Sequence, residues 1–171
     1  IGNSNLVNKI YFPREIIPLS VVFANLINFL LELIALFIVL AVMGYKFYIF
    51  LYLLPLVIFI QIFLVAGLTL LVSALNVFFR DLQHLVTILM MVWFFGTPII
   101  YPLSMVPPGR FQFIIRANPM TIYAAFYRNI FYYVNHPSDL QFPSVTAIIG
   151  TIAITFLIFF VGYFIFKKLE P

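Results

Sequence analysis

Residues 76–119 read NVFFRDLQHLVTILMMVWFFGTPIIYPLSMVPPGRFQFIIRANP. An Arg80-Asp81 pair stands between two apolar runs. The second run ends in a proline-broken tail, Thr97-Pro98-Ile99-Ile100-Tyr101-Pro102. An aromatic, basic and partly amphipathic stretch follows where a short loop would be expected. Proline ends a helix because it lacks an N–H and disfavours helical geometry in the residue before it. The stretch therefore reads as a bilayer-crossing helix that stops abruptly. It hands the chain to a segment lying at, or dipping into, the membrane surface. Such a layout suits a protein that opens a path for a substrate, not a simple anchor.

Outward from this stretch the composition points the same way. The 171 residues are 65% apolar and 8% charged, against about 25% charged in soluble proteins. Regions 47–79, 82–109 and 140–166 contain no Asp, Glu, Lys or Arg. Each exceeds the roughly 20 residues that cross the hydrocarbon as a helix. Barrel strands would alternate over about 10 residues, and these runs do not. The chain is therefore expected to be an all-α integral membrane helix bundle. With no cysteine, disulfides and thiol chemistry are excluded. The +4 charge comes from basic residues flanking apolar runs, which reads as interface anchoring and topology, with no nucleic-acid partner. The chain opens Ile1-Gly2-Asn3 without a signal-peptide pattern, so it is expected to be a fragment or a processed chain, with room for missing spans upstream.

Four spans are expected, over about 16–44, 47–75, 83–101 and 143–166. The first would reach roughly 43 Å as a straight helix, longer than the hydrocarbon is thick, so it must tilt or begin outside it. Before it, residues 4–15 read as a short surface helix, Leu6, Val7, Ile10 and Tyr11 recurring at helical spacing until Pro13 breaks the run. Gly44-Tyr45-Lys46 is a tight turn, and Pro55 marks a kink or the start of the helix proper. Residues 76–82 are a polar connector. Residues 103–142 are not a span: Pro107-Pro108-Gly109 signals a turn, and Asn118-Pro119 an N-cap with proline at the first helical position. That helix should run to about 134, stopped by His136-Pro137-Ser138-Asp139. Four spans put both termini on one side, with Lys9, Arg14, Arg80, Lys167 and Lys168; Lys46, Arg110, Arg116 and Arg128 lie opposite. Three of the latter belong to one long connection, and discounting them places the termini in the cytoplasm.

Asn25, Asn28 and Glu32 share one face of the first span by their spacing. A carboxylate there faces protein or water. Either the three form a polar wall of a translocation path, or they hold helices together by hydrogen bonds worth about 0.6 kcal/mol each. Gln61 is a weaker version of the same case. Arg80-Asp81 is a membrane-edge pair or a contact point for a partner protein. Tyr123, Phe126, Tyr127, Phe131, Tyr132 and Tyr133 suit a bilayer interface, or else a gate at the mouth of a pathway. Enzyme signals are poor. His84 and His136 are isolated, the five carboxylates are scattered, and no zinc-protease, nucleophile-elbow or phosphate-loop motif occurs.

Several segments together resemble a known family. Asn5 to Glu15 followed by Ile16-Ile17-Pro18-Leu19-Ser20, then Asn76-Val77-Phe78-Phe79-Arg80-Asp81-Leu82, Thr97 to Pro102 and Asn118-Pro119-Met120 are similar, in order, to elements of type-2 ABC exporter permeases. The branch is the one exporting O-antigen, capsule-like polysaccharide and teichoic acid. The resemblance covers nearly the whole chain and implies a single permease domain over 1–171 that lacks the family's first two spans. It implies a homodimer with a second permease copy and a separate ATP-binding subunit. ATP and magnesium sit on that subunit, so this chain has no cofactor and is not an enzyme. Residues 4–15 would be a coupling helix; Tyr11, Phe12, Pro13, Arg14, Glu15, Arg80 and Asp81 would meet the ATPase. Residues 103–142 would hold paired, re-entrant gate helices, with Thr97, Pro98, Tyr101, Asn118, Pro119, Tyr123 and Tyr127 as gate residues. Lipid-linked glycan would cross the bacterial cytoplasmic membrane, surrounded by membrane lipids. The same fold exporting drugs or other lipids is the first alternative; a membrane enzyme acting on lipid-linked sugars and a purely structural membrane subunit are more distant ones.

Overall fold

The computed structural model describes residues 15–79, 81–101, 103–132 and 142–169. The expected coupling helix, with Tyr11, Phe12, Pro13 and Arg14, lies outside the described residues. So do Arg80, Pro102, Tyr133 and the stop at His136–Asp139.

The described residues form an all-α membrane bundle. Helix α1 spans Ile16–Val42. It ends where Gly44 takes a left-handed φ of 76°, which glycine adopts without a Cβ penalty. There the Tyr45 N–H reaches the Leu40 carbonyl at 2.9 Å and the Gly44 N–H reaches that of Ala41 at 3.1 Å. This Schellman arrangement satisfies carbonyls that would otherwise be orphaned. A 3-10 helix, Phe47–Leu53, leads into α2, Leu54–Asn76, with Pro55 in its first turn. Pro55 thus marks where the α-helix proper begins, not a kink.

Helix α3, Leu82–Phe95, is shorter than the expected span over 83–101. At 14 residues it reaches roughly 21 Å, less than the hydrocarbon thickness of about 30 Å. Gly96 caps it, and the Thr97 N–H turns back to Phe94. Pro98 acts on the residues before it, so the helix stops ahead of the proline. After a 3-10 turn at Leu103–Met105 come two short helices, α4 (Arg110–Ala117) and α5 (Pro119–Phe131). Asn118 caps α5 as expected: its side chain accepts the Met120 N–H at 3.0 Å. Helix α6, Val145–Leu169, closes the described fold, with Lys167 and Lys168 in its last turn. Three stretches, Ile16–Val42, Phe47–Asn76 and Val145–Leu169, are long and apolar enough to cross a membrane.

Among the described residues, helices α2 and α6 make the most extensive contact between elements. Small residues let them approach. A Cβ on Gly67 would stand 2.5 Å from the Phe159 backbone, and one on Gly162 would run into the Gly67 carbonyl. Thr151 and Thr155 are buried on α6 as well. In a bilayer, where lipid is as apolar as leucine, close backbone packing of this kind drives helix association. Helix α5 fills the space beside this pair. Ile130, fully buried, packs with Leu33 of α1 and Leu54 of α2, and Tyr123 packs with Val57 and Leu64. By contrast no residue of α3 is buried, although its run from Ile88 to Phe95 is wholly apolar.

Candidate functional site

The site forms where α3 breaks and α5 begins. Thr97, one turn beyond Trp93, donates its hydroxyl to the Trp93 carbonyl at 2.8 Å. The same hydroxyl accepts the Asn118 side-chain N–H at 2.9 Å. Asn118 Oδ1 in turn accepts the Trp93 indole N–H at 2.9 Å as well as the Met120 backbone N–H. These bonds close a ring through Trp93, Thr97 and Asn118. Oδ1 faces two donors and Nδ2 one acceptor, which fixes the orientation of the amide. The ring ties the end of α3 to the start of α5, residues 21 and 25 apart in sequence.

Beyond the ring, the broken stretch is held by side chains. Arg128, three turns along α5 from the break, sends its Nη2 to the carbonyls of Pro98 at 2.6 Å, Ile99 at 2.9 Å and Tyr101 at 3.4 Å. Tyr101 folds back and donates its hydroxyl to the Phe95 carbonyl at 3.0 Å. Non-helical backbone among apolar surroundings survives only where protein groups satisfy it. Here one guanidinium and one phenol supply most of that. At the other end of α5, the Thr121 hydroxyl donates to Ile115 of α4 at 2.6 Å, fixing the corner between the two short helices.

The aromatic row of α5 is divided. Tyr123 shares a hydrogen bond of 2.9 Å with Thr155 of α6, and Tyr127 donates to Gln61 Oε1 of α2 at 2.6 Å. Both hydroxyls point into the bundle rather than to a membrane surface. Tyr132 is exposed and lies by Tyr45, ring centroids 6.4 Å apart. The gate residues expected from sequence fall on α5 and the break it meets: Thr97 and Asn118 bond in one ring, the Pro98 and Tyr101 carbonyls receive Arg128, Pro119 opens α5, and Tyr123 and Tyr127 tie it to α6 and α2. Sequence reasoning left Trp93, Arg128 and Thr155 without a role in it. The spacing of four between Trp93 and Thr97 is the signal that could have found the first.

Asn25, Asn28 and Glu32 are all exposed along α1. Asn25 donates to Val21 within its own helix at 2.9 Å, and among the described residues none of the three bonds to another helix. Asn25 and Gln61 do line a cavity of about 200 Å3 between α1 and α2. Glu15 and Asp81 occupy the positions just before α1 and α3, without a side-chain capping bond. Two larger cavities flank the network. One of about 440 Å3 lies between α2 and α3 beside Trp93 and Thr97. The other, about 610 Å3, lies between α1 and α5 beside Tyr127 and Arg128. Among the described residues no cluster of His, Cys, Asp and Glu could hold a metal ion.

A membrane bundle whose third helix breaks and is pinned to a pair of short helices defines a multi-pass membrane protein with an internal, held-open break. The chain belongs to the ABC-2 type transporter family, whose pattern it matches over residues 2–132. It is 33% identical over 165 residues to the O-antigen export system permease protein RfbA of Myxococcus xanthus, covering 96% of this chain and 61% of that protein. Two proteins of the same description from Klebsiella pneumoniae are each 32% identical over 171 residues, covering 99% of this chain and 63% of theirs. The chain thus spans a little over three fifths of the length of these relatives.

Proposed function

We propose that this chain forms the greater part of the membrane half of an ATP-driven exporter, carrying lipid-linked polysaccharide of the O-antigen kind across the bacterial cytoplasmic membrane. The observation that carries the reading is the likeness over almost the whole chain to proteins described as O-antigen export permeases. Teichoic acid precursor belongs to the same class of cargo. ATP and magnesium act on a separate ATP-binding subunit, and a second permease copy completes the path. ATP binding closes the partner subunits and moves residues 4–15, Tyr11–Glu15 among them, together with Arg80 and Asp81, at the cytoplasmic face, where both ends of this chain lie. The movement reaches the spans, and α4 and α5, the re-entrant gate within residues 103–142, shift against the broken end of α3. Trp93, Thr97, Asn118 and Arg128 support this part of the reading, because they join the break to the short helices and any displacement of one must pass to the other. Asn25, Asn28 and Glu32, exposed on α1, line the path; a carboxylate near the middle of a span needs water or protein beside it.

Co-purification with the neighbouring ATP-binding subunit tests the assignment. The intact protein should bind it, and a version with Tyr11–Glu15 scrambled should not. No binding by the intact protein would return the chain to a membrane enzyme or a purely structural subunit.

A further inference from the structure

We propose that the cavity between α1 and α2 is a water-binding site, with the side-chain amides of Asn25 and Gln61 holding the water between them. One face of each helix lines this cavity of about 200 Å3. Phe37 stacks on Phe47, and Leu33 shares a buried cluster with Leu54, so the two helices run in opposite directions. Equal steps away from Leu33 and Leu54 bring Phe29 level with Ile58, Leu26 with Gln61 and Val22 with Val65, all of them lining residues. Asn25, next to Leu26, therefore stands at the same rung as Gln61. Every other side chain that lines the cavity is apolar.

Each amide has one half already committed. Asn25 Nδ2 donates to the Val21 carbonyl at 2.9 Å, and Gln61 Oε1 accepts the Tyr127 hydroxyl at 2.6 Å. What is left to offer is the carbonyl of Asn25, an acceptor, and the NH2 group of Gln61, a donor. Among the described residues the two amides do not bond each other. A water can accept from Gln61 and donate to Asn25, which no apolar occupant can do. Gln61 lies near the middle of the membrane-long stretch Phe47–Asn76. The hydrocarbon at that depth supplies no partner, and an amide left without one is costly. A single water needs only about 10–15 Å3 of such space and two to four polar partners. The cavity exceeds that, yet falls short of the roughly 300 Å3 at which small-molecule sites begin. The bridge extends a line of hydrogen bonds from Tyr127 through Gln61 to Asn25, and so joins α5 to α1 by way of α2.

The proposal needs the membrane placement of the chain and not the identity of any exported cargo, and its test uses neither ATP nor a partner subunit. Isotope-labelled protein in lipid bilayers is measured by solid-state NMR, with magnetisation transferred from water to protein nitrogen. The Gln61 side-chain amide, assigned by its disappearance in Gln61→Leu, should receive magnetisation early, as the exposed Gln83 does. The backbone amide of Leu64, a residue 1% exposed one turn further along α2, supplies the dry reference. Asn25→Leu removes one of the two holders, and Leu26→Phe fills the cavity while both amides stay; each should abolish the early transfer to Gln61. Asn28→Leu, on the same helix but outside the lining, should leave it intact. Transfer to Gln61 as slow as that to Leu64 overturns the proposal. So does undiminished transfer in Leu26→Phe, because Gln61 also borders the larger cavity between α1 and α5 and the water would then stand on that side. Should Asn25→Leu fail to fold, Leu26→Phe and the comparison with Leu64 still decide.

Discussion

Asn118 makes three hydrogen bonds with one amide: two reach the end of α3, at Trp93 and Thr97, and one caps α5. Replacing it with Ala removes a helix cap worth about 1 kcal/mol and strands the Trp93 indole N–H, at a further cost of about 1–3 kcal/mol. Asn118→Ala should therefore lower the melting temperature in detergent and shift the emission of Trp93, the chain's single tryptophan. Asn118→Asp keeps both bonds accepted at Oδ1 and loses only the donation to Thr97, so it should fall between wild type and Ala. If Asp and Ala are indistinguishable, the indole bond contributes nothing. Tyr127→Phe removes the bond to Gln61. Such bonds average about 0.6 kcal/mol between helices in membranes, so the loss should be small and should vanish in a Gln61→Leu background. An additive double mutant would show that the two side chains do not act together.

The elements were legible in the sequence to different degrees. Long apolar runs, Gly44 and Pro55 marked α1, α2 and α6 because length and apolarity decide a membrane helix; the ends of α1 and α6 were off by at most three residues, and the run from 47 opens as a 3-10 helix before α2 begins at Leu54. Asn118-Pro119 marked α5 for a local reason, the cap. The end of α3 was read too late, since Pro98 bends the chain ahead of itself, and nothing in the apolar run signals where. The inward turn of Tyr123 and Tyr127 was not legible at all. Aromatics with a polar tip suit an interface equally well, and only the partners Thr155 and Gln61, distant in sequence, decide between the two. The seam between α2 and α6 is the element most exposed to error. Gly67→Ala and Gly162→Ala each place a Cβ against backbone, where little can yield; overpacking of this kind costs about 1–3 kcal/mol. Both variants should give less monodisperse protein on gel filtration, whereas Gly150→Ala, with open space around it, should behave as wild type. Normal behaviour of both seam variants would mean the helices part easily.

Across the whole molecule, the buried seam and the uncovered α3 stand at opposite ends of a scale. Helices α2, α5 and α6 share a packed interior, while α3 is tied to the rest chiefly through the Trp93–Thr97–Asn118 ring and the Arg128 bonds. On the proposed reading that is where an ATP-driven movement would act. Arg14→Ala and Arg80→Ala should then reduce export severalfold while leaving membrane insertion, and the ATPase activity of the partner, largely intact. Measuring hydrolysis and surface glycan in the same cells checks this, and undiminished export in both variants would remove these residues from the coupling role.

The contact between Gly67 and Gly162 also has a bearing on how such a protein can change over generations. Every missense change that one nucleotide can make in a glycine codon adds at least a Cβ. At these two positions each such change meets facing backbone, of Phe159 and Ile158 for Gly67 and of Gly67 for Gly162, and trimming a neighbouring side chain offers no remedy because the atoms met are main chain. The pair therefore has no neutral neighbours in the genetic code, and lineages that diversify the lipid-facing helices freely should carry this one seam through unaltered.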